Sequence, residues 1–246
     1  SNQKPPGLDN IFDRHQSPHA IGGDPVVLVD GSAHHTLAHA ISKSKAETSG
    51  LYVHIPFCPS RCLSCDHLAL VEHDGSVIDN YLEVLASEME AMARASQIPI
   101  KVDRIHIGGG SPNYLEDIQL AKLMAGIHTA FEIMPDAEIS MEVNPRRTSR
   151  AQFELLQGLG IRNLHLEVRD VDSKVQNELG RTQSFSLLED VYGMARGMSF
   201  DSVTMDFLFG LPGHTTSGVK DSDAMIAELA PYVLLSRQDT RIPHQL

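Results

Sequence analysis

At 246 residues, 41% of them hydrophobic, the chain is long enough to bury the core of one α/β domain. A formal charge of -12 and an isoelectric point near 5.4 exclude a continuous basic face, so a nucleic acid is a poor partner. No run of about 18 apolar residues occurs, and residues 1–30 lack the charged-then-apolar layout of a signal peptide; a cytoplasmic protein without a membrane partner is expected.

Residues 1–50 are rich in Pro, Gly, Ser and His, with only short apolar pieces, and read as an irregular lead-in holding at most one helix. From Leu51 onward, short apolar or β-branched runs predict strands at Leu51–Phe57, Arg104–Ile107, Glu138–Val143, Asn163–Val168, Ser202–Phe209 and Tyr232–Ser236. Helices are expected between them. The first opens at Asp79 as N-cap and sets Leu82, Leu85, Met89 and Met92 on one stripe; the others fall at 116–131, 149–159, 173–179 with 185–196, and 217–230. Repeated β-α alternation with near-continuous apolar strands predicts a parallel sheet covered by helices, either an open doubly wound sheet or a barrel. In both, ligands gather at the carboxyl ends of the strands.

The three cysteines of the chain, Cys58, Cys62 and Cys65, lie within eight residues just past the first strand. Three thiols cannot form a closed set of disulfides, so the cluster points to a metal in a reducing compartment. A 4Fe-4S cube held by three cysteines leaves one iron open to the amino and carboxylate groups of a small molecule. The competing reading is a closed zinc site completed by His54, His67 or His73.

The string Tyr52-Val-His-Ile-Pro-Phe-Cys58-x3-Cys62-x2-Cys65 resembles the signature of radical S-adenosylmethionine (SAM) enzymes, and of the oxygen-independent coproporphyrinogen III oxidase family among them. The resemblance implies a partial (β/α)6 TIM-like barrel, with Cys58, Cys62 and Cys65 holding the 4Fe-4S cluster. It also implies cleavage of SAM to a 5'-deoxyadenosyl radical, which takes a hydrogen from a porphyrinogen propionate that then loses CO2. Oxidoreductase chemistry in haem biosynthesis, an electron donor such as flavodoxin or ferredoxin, and a monomer are its further implications.

Other motifs carry the same resemblance. Gly108-Gly109-Gly110-Ser111-Pro112 follows the second strand, where glycines let backbone N–H groups approach a ligand; the plain alternative is a tight turn. Glu142 ends the third strand among apolar neighbours and needs a donor, from an internal partner or from a ligand. Asp206 sits in an apolar strand and needs a buried partner, whereas Arg181 alone would be an ordinary surface residue. Gly210-Leu-Pro212-Gly213 resembles the family's turn after the fifth strand. By resemblance Tyr52, Gly109, Gly110, Ser111, Glu142, Arg181 and Asp206 contact SAM, and Thr240 falls by spacing on another such position.

The departures concern His67, where the oxidases carry a further Cys, and the fourth strand, where Glu167 and Arg169 replace the family's Gly and Gln. The two charges could pair with each other, or Arg169 could contact SAM. The domain reading is a lead-in over 1–50 and a radical SAM core over 51–246, without the C-terminal domain of the family. A haem-binding or haem-trafficking relative that lacks oxidase activity is the alternative, prompted by 13 histidines and the changed fourth strand.

Overall fold

The computed structural model describes residues 47–63, 65, 68–96, 98–209, 211, 213–228 and 233–238. Most of the lead-in, His67, Gly210, Pro212 and Thr240 lie outside them, as do the expectations resting on those residues. Six strands form one parallel sheet: β1 (Ser49–Ile55), β4 (Lys101–Gly109), β5 (Glu132–Val143), β6 (Asn163–Arg169), β7 (Ser202–Phe209) and β8 (Val233–Gln238). A two-stranded parallel piece joins β2 (Phe57–Cys58) to β3 (Leu70–Val71). The helices are α1 (Gly75–Ala95), α2 (Asp117–Ala130), α3 (Arg150–Gly158), α4 (Ser173–Leu179), α5 (Phe185–Gly197) and α6 (Thr216–Glu228).

Strand order in the large sheet follows chain order, β1-β4-β5-β6-β7-β8, with no reversal. A doubly wound sheet reverses its order at a switch point; an unreversed order with right-handed crossovers winds all helices onto one side, as in a partial barrel. That decides between the two architectures left open by the periodicity.

The strands are not apolar on both faces. On β4 to β7, Ile105 and Ile107, Met141 and Val143, Leu164 and Leu166, and Val203 and Met205 are buried in the main core with α1, α2, α3 and α5. The alternate positions carry His106, Ser140, Glu142, His165, Glu167, Thr204 and Asp206, so a polar row is built by the period-two geometry of a strand. Neighbours in register satisfy one another: His106 Nδ1 lies 2.8 Å from Ser140 Oγ, and His165 Nδ1 lies 2.7 Å from Thr204 Oγ1.

Several predicted boundaries are corrected: β5 begins at Glu132 rather than Glu138, β4 spans Lys101–Gly109 rather than Arg104–Ile107, and two further shifts have a local cause. The first strand stops at Ile55 rather than Phe57, because Pro56 has no N–H for the ladder; its carbonyl instead accepts from Leu70 N–H at 2.7 Å. Helix α1 begins at Gly75, capped by the Asp74 side chain on Ser76 N–H at 2.9 Å, and not at Asp79. Asp79 lies a turn inside the helix and accepts from the Gln119 amide at 3.1 Å, tying α1 to α2. The expected stripe forms, with Leu82, Met89 and Met92 buried alongside Ile78 and Leu85 partly covered.

On α3, Phe153 is fully buried and meets Phe200 edge-on at 5.3 Å, while its neighbour Glu154 is exposed. Phe153→Ala should cost about 3–5 kcal/mol of stability by leaving a cavity. Glu154→Ala should stay within about 0.5 kcal/mol, both read from urea unfolding midpoints.

Candidate cluster and cofactor pocket

Cys58 ends β2, and Cys62 and Cys65 follow in the loop beyond it. All three thiols border one pocket with Gly109, Gly110 and Ser111 from the end of β4, Asn144 and Arg146 after β5, Glu167 and Arg169 at the end of β6, and Arg181 after α4. These are carboxyl ends of parallel strands, where ligands are expected. Ser60 and Arg61 complete the cysteine side of the wall.

The loop is held from two sides. Leu63 N–H donates to Leu179 O at 2.9 Å, and Arg181 places Nη1 3.7 Å from Cys62 Sγ. On the other side Gly110 N–H donates to Ile55 O at 2.7 Å and Ser111 N–H to Phe57 O at 2.9 Å. A Cβ on Gly110 would lie 2.7 Å from Phe57 O and 2.9 Å from Cys58 Sγ, and Gly109 has φ of +120°. Glycine is therefore required there by close approach and by backbone conformation.

This corrects one expectation about the glycine run. The N–H groups of Gly109, Gly110 and Ser111 donate within the protein, the first to Glu142 Oε2 at 3.0 Å, so the turn serves packing rather than offering free donors. Glu142 likewise meets the internal partners its burial demands: Gly109 N–H and His106 Nε2, the latter 3.4 Å from Oε1. It sits beneath the glycine run, against Gly108. Tyr52 is half exposed on β1 and stacks on His106 with ring centres 5.8 Å apart.

The changed residues of β6 form an ion cluster. Arg169 Nη2 lies 3.2 Å from Glu167 Oε1 and Nη1 lies 2.7 Å from Asp206 Oδ2. Asp206 Oδ1 also accepts from Val168 N–H at 2.6 Å, and Arg181 Nη2 donates to the Glu167 carbonyl at 2.9 Å. Arg169 pairs with Glu167, as one of the two readings has it, and also lines the pocket. Arg169 has φ of +69° at a register shift between β6 and β7, a costly conformation for a non-glycine residue that Asp206 pins in place. Burial pushes the Glu167 carboxyl up, while Arg181 and Arg169 pull it down.

Asn113, Asn144 and Arg146 were not singled out by sequence. The Asn113 amide donates to Asn144 O at 3.2 Å and Thr148 Oγ1 at 3.3 Å, and its Oδ1 accepts from Asn144 N–H at 3.0 Å. Asn144 then donates to Ser111 Oγ at 3.3 Å. The available signal was position: Asn144 and Arg146 flank the proline after Glu142, at a strand's carboxyl end.

Of the three histidines that could close a zinc site, His67 lies outside the described residues and the other two have partners elsewhere. His54 Nε2 is 2.9 Å from Leu68 O and its Nδ1 3.2 Å from Tyr52 OH, while His73 Nδ1 is 3.1 Å from Tyr114 OH. Among the described residues, no three His, Cys, Asp or Glu side chains are placed to hold a single metal ion. The three thiols border a pocket that is also lined by the guanidiniums of Arg61, Arg146, Arg169 and Arg181 and by the Glu167 carboxylate, groups suited to a charged small molecule.

Burial is the main force raising the Cys58 thiol to about 11, opposed by its contact with Ser111 and assisted by the charges of Glu167, Cys65 and Cys62. In the reduced, metal-free protein Cys58 should react with iodoacetamide at pH 8 on the order of a hundredfold more slowly than an unperturbed cysteine of pKa about 8.5. Its rate should climb about tenfold per pH unit toward 11, measured by peptide mass mapping.

Residues 52–226 match the family profile described as the radical SAM superfamily. An oxygen-independent coproporphyrinogen III oxidase of Bradyrhizobium diazoefficiens is 34% identical over 198 residues, 80% of this chain and 44% of that protein. The oxidase of that name from Escherichia coli is 33% identical over 193 residues, 78% of this chain and 42% of the relative. The chain thus spans under half the length of these curated relatives. The solved E. coli coproporphyrinogen III oxidase superposes with a TM-score of 0.80 at 30% identity, covering 87% of this chain and 49% of that one. A radical SAM methyltransferase of Kitasatospora setae, solved with cobalamin and a [4Fe-4S] cluster, shares the fold alone, with a TM-score of 0.52 at 15% identity over 78% of this chain and 36% of that one. The chain belongs to the radical SAM superfamily, whose cofactors are a 4Fe-4S cluster and SAM.

Proposed function

We propose that this chain is the catalytic core of a radical SAM oxidoreductase acting on a coproporphyrinogen-type substrate in oxygen-independent haem biosynthesis. The observation that carries the reading is the convergence of Cys58, Cys62, Cys65, Arg169 and Arg181 on one pocket at the strand ends. The relatives named for that oxidase activity supply the substrate class. The core domain spans residues 51–246, and the electron comes from a donor such as flavodoxin or ferredoxin.

In this reading Cys58, Cys62 and Cys65 are the cluster ligands, and Tyr52, Gly109, Gly110, Ser111, Glu142, Arg169, Arg181, Asp206 and Thr240 form the SAM site. The bound cofactors supply one-electron cleavage of SAM and the radical that abstracts hydrogen, so no protein acid or base is needed for that step. The chain's part is placement. Arg181 ties the cluster loop to β6 through Cys62 Sγ and the Glu167 carbonyl. Gly110 lets β4 approach Cys58, and Arg169 offers a guanidinium fixed on two carboxylates. Thiols must lose protons to ligate metal, so loading should improve as pH rises.

Anaerobic reconstitution should give about four irons and four sulfides per chain and, after reduction, 5'-deoxyadenosine from SAM. Cys62→Ala should abolish both. One zinc without sulfide would sink the reading; cluster and SAM cleavage without decarboxylation of coproporphyrinogen III would sink only the substrate. Gly110→Ala should lower iron content while the chain stays folded by circular dichroism, because the added methyl displaces Cys58; full iron loading would refute the close-packing role.

A further inference from the structure

Glu167 stands out among the pocket residues. Its side chain is 3% exposed, it lines the same pocket as the three thiols, and no other residue of the proposed SAM site resembles it chemically except Glu142 and Asp206. Those two carboxylates are bonded to backbone N–H groups, at Gly109 and at Val168. Glu167 is not. Its Oε1 takes Arg169 Nη2 at 3.2 Å, but Oε2 is buried and accepts no hydrogen bond. Arg181 Nη2, the nearest cation to Oε2, lies 3.6 Å away and is committed to the Glu167 carbonyl at 2.9 Å.

A buried carboxylate oxygen without a donor is costly, and it has two ways out. Either the carboxyl takes up a proton, or a bound molecule brings a donor. Burial pushes the carboxyl up, in line with the first way, while the guanidiniums of Arg181 and Arg169 pull against it. SAM carries both an amino group and ribose hydroxyls, each able to donate to such an oxygen.

We propose that Glu167 is a SAM-contacting residue, its Oε2 accepting a hydrogen bond from the amino group or a ribose hydroxyl of the bound cofactor. The inference rests on the reading of this pocket as the cluster-and-SAM site. Arg169 and Arg181 then act as positioning residues that hold the carboxylate in place, one on Oε1 and one on the backbone. The rival is an ion cluster that closes on itself and serves stability alone.

The test is SAM binding by anaerobic calorimetry on reconstituted wild type, Glu167→Gln and Glu167→Asp, with iron content and the SAM-free thermal midpoint measured alongside. Glu167→Gln should keep its iron and bind SAM about tenfold more weakly, the loss expected for one hydrogen bond to a charged group. Methionine and 5'-deoxyadenosine, measured separately, identify the donor: weakening confined to methionine marks the amino group, and weakening confined to 5'-deoxyadenosine marks the hydroxyls. SAM affinity within twofold of wild type, with only the midpoint changed, would overturn the proposal. If Glu167→Gln fails to fold, Glu167→Asp, which keeps the charge but withdraws the oxygen, must show the same selective loss. Failure of wild type itself to hold iron or SAM sinks the pocket reading, which separates the two failures.

Discussion

A parallel sheet with one face covered by α1, α2, α3 and α5 must do something with its other face, and in this chain that face carries His106, Glu142, His165, Glu167 and Asp206. Each is mostly buried, so each needs a partner: adjacent strands supply Ser140 to His106, Gly109 to Glu142, Thr204 to His165 and Val168 to Asp206, while Arg169 and Arg181 serve Glu167. The apolar row of the same strands supplies the hydrophobic stabilisation, and the polar row consumes part of it. That trade makes a charged interior possible. It also locates the pocket, because polar groups that strands cannot satisfy sideways are found at their carboxyl ends.

The cysteine loop depends on this frame more than on its own conformation. Its two ends are fastened to different parts of the sheet: Cys58 against the glycine turn after β4, and Leu63 with Cys62 against the end of α4 and Arg181. Glycine at 110 is a packing requirement, since any side chain would strike Phe57 O and the Cys58 sulfur. The left-handed backbone at Arg169 is its counterpart across the pocket. There Asp206 accepts from two successive N–H groups and from the guanidinium, three contacts that offset the strain.

The ion cluster of β6 and β7 explains how Glu167 and Arg169 are tolerated in the pocket beside the three thiols. A lone buried carboxylate or guanidinium there would be strongly unfavourable; Glu167, Arg169, Arg181 and Asp206 offset one another within 2.7 to 3.6 Å. The arrangement leaves one acceptor, Glu167 Oε2, and one donor, Arg181 Nε, without hydrogen bonds inside the protein. Both belong to residues lining the pocket, where a zwitterionic ligand can meet them.

Local pattern in the sequence was enough for the cysteine spacing, the six strands of the sheet, the stripe of α1 and the glycine run, because each is written in neighbouring residues. It also marked Glu142 and Asp206 as carboxylates in need of partners, since a charge inside an apolar run is visible without coordinates. Who those partners are was decided by tertiary structure: Gly109 lies 33 residues from Glu142, and Val168 lies 38 from Asp206. The same distance hid Asn113, whose contacts are 31 to 39 residues away, and made Asp79 look like a cap when its partner is Gln119. The alternation of Leu164-His165-Leu166-Glu167 is visible in the sequence, against the reading of near-continuous apolar strands, but the burial of its polar members is not. A buried histidine or threonine counts as polar in a sequence, and only the register of neighbouring strands shows that it is satisfied inside.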